Sequence, residues 1–75
     1  MRVPMADYAK VTQFLGIISS SDKSAMVQLM QAFDAATGSV PKKLLLKEME
    51  RIAQKVNKNM KAQMIELMLK ASGIQ

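Results

Sequence analysis

The sequence predicts an all-α fold, a small bundle of three to four short helices. Three observations carry that expectation. Apolar residues recur at helical spacing along the whole chain, no stretch shows the strict alternation of a β-branched strand, and the turn-rich segments 19–22 and 37–41 divide the chain into helix-sized pieces. With 75 residues the chain makes one domain over 1–75. A domain this short hides only about 60% of the surface its unfolded chain exposes, so its margin of stability is small.

The first helix is expected over 4–18. Pro4 suits a first helical position, and Tyr8, Val11, Phe14, Leu15 and Ile18 share one face. Gly16 inside it costs up to ~1 kcal/mol relative to alanine, which points to a weak helix or a close approach by another backbone. The SSSD run, 19–22, supplies capping oxygens, and a second helix follows over 22–37 with Met26, Leu29, Met30, Phe33 and Ala36 as its stripe. Gly38 is expected to close that helix in the left-handed conformation, and Pro41 to hold Val40 extended before the third helix. From 42 to 72 there is neither glycine nor proline. Two helices, 41–57 and 59–72, are favoured over one kinked helix, because Asn57 and Asn59 are poor inside a helix and good at its caps. The third stripe is Leu45, Met49, Ile52 and Val56, and the fourth is Met60, Met64, Leu67 and Ala71.

Composition excludes much chemistry. There is no cysteine and no histidine, which removes thiolate nucleophiles, disulfides, sulfur-ligated zinc and imidazole bases together. The absence of cysteine fits a reducing, cytoplasmic setting. No apolar run approaches the roughly 18 residues a membrane span needs, and MRVPMADYAK lacks the continuous apolar core of a targeting signal. A soluble, untargeted chain is the expectation. Asp7, Asp22 and Asp34 fall on different helices or helix ends, and Glu48 and Glu50 point to different faces of one helix. Ser19, Ser20 and Ser21 read as a capping linker, since a nucleophilic serine needs a base beside it. No glycine-rich phosphate loop is present. A non-enzymatic protein without cofactor, metal or small-molecule substrate is therefore expected.

The segment QAFDAATGSVPKKLLLKEM resembles a calcium-binding EF-hand in its helix-loop-helix outline alone. With Gly38 as the loop glycine, Phe33, Ala35, Thr37 and Leu44 take four main liganding positions, where oxygen donors are required. Calcium is not expected. The same outline suits a helix-turn-helix with the Pro41 helix as reader, but Asp34 stands where a small residue packs.

Two surfaces are candidates for function. Net charge is +5, and all of the surplus lies beyond Gly38: Arg2, Lys10 and Lys23 balance Asp7, Asp22 and Asp34, whereas eight basic residues from Lys42 to Lys70 face Glu48, Glu50 and Glu66. Lys43, Lys47, Arg51, Lys55, Lys58 and Lys61 form a basic ridge opposite the third apolar stripe, if the helix reaches Lys61. Such a ridge suits nucleic acid or an acidic protein. One arginine and no interleaved aromatic make base reading and stacking poor, and an anionic membrane is disfavoured because tryptophan is absent and the opposing stripe is needed for the core.

The second surface is the last helix. Ile65, Met68 and Leu69 widen its apolar arc to roughly 200°, against the roughly 100° an outer helix of a monomer needs. That excess must be buried on a second side or covered by another chain. The leading expectation is a small adaptor or regulator that binds a protein partner, or a second copy of itself, through Met64, Ile65, Met68 and Leu69. A nucleic-acid-binding protein using the basic ridge is the alternative.

Overall fold

The computed structural model describes residues 3–74. In it the chain forms α1 (Met5–Phe14), α2 (Ser20–Ala35), α3 (Ser39–Ala53) and α4 (Ala62–Ala71), so the last two helices are separate. Each helix packs on its neighbour in sequence, with α2 and α3 as the most extensive pair. The radius of gyration is 11.0 Å. Scaling gives about 11 Å for a folded chain of this length.

Helix α1 is shorter than expected because Gly16 ends it. Its φ is +93°, a left-handed conformation that any other residue reaches only with strain, and the N–H groups of Leu15 and Gly16 donate to the carbonyls of Thr12 and Gln13. The close approach foreseen at Gly16 comes from a side chain: a Cβ there would lie 2.9 Å from Val56 Cγ1. Tyr8, Val11 and Leu15 are buried, but Phe14, placed on the same face by spacing, is exposed. Thr12 is buried too, its Oγ1 donating to the Ala9 carbonyl at 2.7 Å.

Helix α2 opens at Ser19, whose Oγ accepts from the Asp22 N–H at 3.2 Å, while Asp22 adds a carboxylate to the positive first turn. Met26, Met30 and Phe33 are buried as the spacing predicts. Asp34, near the far end, ties in the N-terminal segment. Its Oδ2 accepts from the Tyr8 hydroxyl at 2.7 Å and from the Val3 N–H at 3.1 Å.

The connection to α3 differs from the expectation. Gly38 has φ −127° and stands at the N-cap of α3, so it does not close α2 in a left-handed turn. Val40 is helical, and Pro41 sits in the first turn, where its missing N–H costs no helix bond. Residues 36–38 make the whole loop, far too short for the EF-hand outline. Along α3, Leu46, Met49 and Ala53 are buried and Leu45 and Ile52 half-buried. The buried face is thus rotated from the predicted stripe, and Val56 falls beyond the helix end, against Gly16.

A Schellman turn closes α4. The Ile74 N–H donates to the Leu69 carbonyl at 2.8 Å and the Gly73 N–H to that of Lys70 at 3.1 Å, with Gly73 at φ +84°. The turn folds Ile74 back, fully buried with Leu69, into a core that also contains Met26, Met30, Met49 and Met60. These flexible thioethers fill the irregular space where short helices meet.

The two left-handed glycines differ in surroundings, and that difference is measurable. Gly73→Ala meets open space and should lose only the conformational strain, about 1 kcal/mol, whereas Gly16→Ala should lose more because Val56 must also move. Val56→Ala should recover part of the Gly16→Ala loss in urea unfolding. Equal losses for the two glycines would contradict the close approach.

Candidate interaction surface

Helix α4 is turned the opposite way from the sequence expectation. Ile65 and Leu69, foreseen as an outer stripe for a partner, are at 0% exposure, and Met68 packs half-buried against the core. The outward side chains are Met64 at 44% and Leu67 at 67% exposure, with Gln63, Lys70 and Ala71. The physical reason lies in what flanks each half of the apolar arc. At 3.6 residues per turn Gln63 and Lys70 lie about 40° and 60° from Leu67, so a core built on Leu67 would draw an amide and an ammonium out of water. Turning Ile65 inward avoids that, and Ile74 then closes over Leu69.

Glu50 of α3 and Gln54, the residue that caps its C-terminus, fix this placement. Glu50 Oε2 accepts from the Ala62 N–H at 2.7 Å, satisfying an orphan donor at the start of α4, and Gln54 Nε2 donates to the Met60 carbonyl at 2.8 Å. The Asn57 side chain accepts from the Asn59 N–H at 3.0 Å, which tightens the turn between them. Met60 is buried beneath it.

The basic ridge is divided by the same turn. Lys43, Lys47 and Arg51 lie on α3, one turn apart, whereas Lys55, Lys58 and Lys61 belong to the connection 54–61 and do not continue the helical row. All six are exposed. Arg51 pairs with Glu48 at 3.1 Å, and Lys55 reaches across to Asp22 of α2 at 3.2 Å. Lys42 lies 5.1 Å above the centre of the Phe33 ring, outside the ridge. The carboxylates of this half are engaged: Glu48 by Arg51, Glu50 by the Ala62 N–H and Glu66 by Lys70 at 3.9 Å. Among the described residues Lys43, Lys47, Lys58 and Lys61 have no carboxylate within ion-pair distance.

Two of those four lysines line a cleft of about 320 Å³ between α3 and α4, formed by Lys43, Leu46, Lys47, Ala62, Gln63 and Glu66. Leu67 follows Gln63 by one turn on the same helix, so the exposed apolar side of α4 runs up to the cleft's edge. A larger cleft of about 490 Å³ between α1 and α2, lined by Met5, Tyr8, Gln28 and Gln31 among others, carries no charged side chain. Among the described residues no three carboxylates converge as a metal site, and no helix is long and apolar enough to cross a membrane.

No protein-family model, curated protein or solved structure matches the chain.

Three features escaped the sequence reading: the Glu50 contact, the Ile74 turn and the outward side of Leu67. Only the second had a local signal, glycine followed by an aliphatic residue in SGI at a helix end.

Core and surface roles on α4 separate by mutation. Ile65→Ala or Leu69→Ala should cost about 2–5 kcal/mol in urea unfolding, whereas Leu67→Ala should stay within about 0.5 kcal/mol. Glu50→Ala should cost about 1 kcal/mol, the scale of a lost N-terminal cap, with near-native circular dichroism.

Proposed function

We propose that this chain is a non-enzymatic interaction module, a small adaptor or regulator, that binds a protein partner or a second copy of itself through the outer side of α4. The observation that carries the reading is Leu67 with Met64: two large apolar side chains on adjacent turns, held in water by a helix whose core side is already complete. A monomer gains nothing from them, and methionine suits a surface that adapts to its partner. Ile65 and Leu69 act from below, as the core that presents this face, and Met68 lies at its edge. The thin inventory of acids and bases, each carboxylate of the C-terminal half engaged in a structural contact, supports a binding role over catalysis.

The alternative, a nucleic-acid-binding protein, draws support from the exposure of Lys43, Lys47, Arg51, Lys55, Lys58 and Lys61. Against it stand the split of the ridge and the pairing of its single arginine with Glu48.

Molar mass in solution, at low and high salt and with added nucleic acid, discriminates the readings. Met64→Glu with Leu67→Glu should leave the fold intact and abolish self-association or partner binding. Nucleic-acid binding would instead fall steeply with salt and collapse on charge reversal of Lys47, Arg51 and Lys55, untouched by the α4 changes.

A further inference from the structure

Building on the protein-interaction reading, we infer that the cleft between α3 and α4 receives an acidic segment of a partner protein, anchored by an aliphatic side chain. The cleft combines two properties. Its floor is apolar, with Leu46 and Ala62, and one wall carries Lys43 and Lys47, one helical turn apart and both without a carboxylate among the described residues. Lys61, likewise without one, immediately precedes Ala62.

Charge complementarity decides the occupant. The fold has used the carboxylates that could have neutralised these lysines, so the potential around the cleft is positive, and a partner supplies what is missing. Glu66 is the one acid on the cleft wall, and Lys70 at 3.9 Å offsets it. The apolar floor favours a peptide over a phosphate backbone, which would leave Leu46 and Ala62 facing charge. No aromatic side chain lines the cleft to stack a base. Leu67, one turn beyond Gln63, extends the apolar contact onto the outer side of α4, so a short amphipathic segment spans both.

The experiment is fluorescence anisotropy with the whole chain and a labelled peptide EELLEELLEELL. Comparators are the same peptide with every leucine replaced by serine and a labelled single-stranded oligonucleotide of equal length. The Glu/Leu peptide should bind at low salt, weaken as salt rises and bind at least about tenfold more tightly than the Glu/Ser peptide. Lys43→Gln with Lys47→Gln, both exposed and so compatible with folding, should weaken it by about tenfold or more. Equal affinity for the two peptides would reduce the site to bare charge and overturn the inference. So would tighter binding of the oligonucleotide, absence of Glu/Leu binding at low salt, or an unchanged affinity in the lysine variant. The wider reading is tested separately by the molar mass of the Met64→Glu, Leu67→Glu variant: a change there, with an unresponsive cleft, rejects the acidic partner and keeps the interaction module.

Discussion

The architecture of the C-terminal half depends on how α3 hands over to α4, and two side chains at the end of α3, Glu50 and its C-cap residue Gln54, hold that junction. Glu50 accepts from the first N–H of α4 and Gln54 donates to the Met60 carbonyl just before it. Without these contacts the helical pattern of 42–72 could continue, because nothing between those residues forbids a helix outright. With them the chain leaves α3 at Ala53, crosses by 54–61 and returns as a separate helix packed on α3. That return creates the cleft, ends the basic row on α3 and sets which half of α4 is inside. A single buried-side hydrogen bond of the Glu50 type is worth only about 1–3 kcal/mol, yet it acts where two packings of α4 compete.

Helix ends carry as much of this fold as helix faces. A short domain has few residues to enclose, so every turn that sends an apolar side chain back into the core matters. The Schellman turn does this for Ile74, and the left-handed turn at Gly16 brings the end of α1 against Val56. Asp34 performs the same service at the other end, holding Tyr8 and Val3 to α2 through one carboxylate oxygen. Helices of ten to sixteen residues, marginal in isolation, are thereby fixed by contacts at their termini as well as by the methionine-filled core.

How much of this was legible in the sequence follows the same division. The all-α class, a capping run before α2, the α2 stripe and the break at the asparagines are readable, because each depends on residues close together in the chain; that Ser19 is the cap, starting α2 two residues before the expected 22, is not. Nor are the faces of α3 and α4. The apolar arc of α4 is broad enough to serve either orientation; Gln63 and Lys70 beside Leu67 bias the choice, and Glu50, twelve residues earlier, and Ile74 beyond the helix complete it. Gly38 is ambiguous for a related reason: TGSVP suits both a left-handed helix end and the entry to a new helix, and in the fold an extended Ala36 already closes α2. Phe14 shares the core face of α1 by spacing, yet it is the last residue of a helix that Gly16 ends early, and it is exposed.

The same local economy explains why a neutral N-terminal half and a strongly basic C-terminal half coexist in one domain. Asp22 of the first half reaches Lys55 of the second, which meets it from the connection that leads to α4. Exposed ion pairs of this kind are worth at most about 1 kcal/mol, and Lys43 and Lys47 on α3 lack even that among the described residues, so these two lysines add little to the hold of the fold. Their mutual repulsion is a small cost the fold tolerates, and screening by salt keeps it small. On the proposed reading, that cost is the one an acidic partner would offset, beside an apolar cleft and the exposed Leu67.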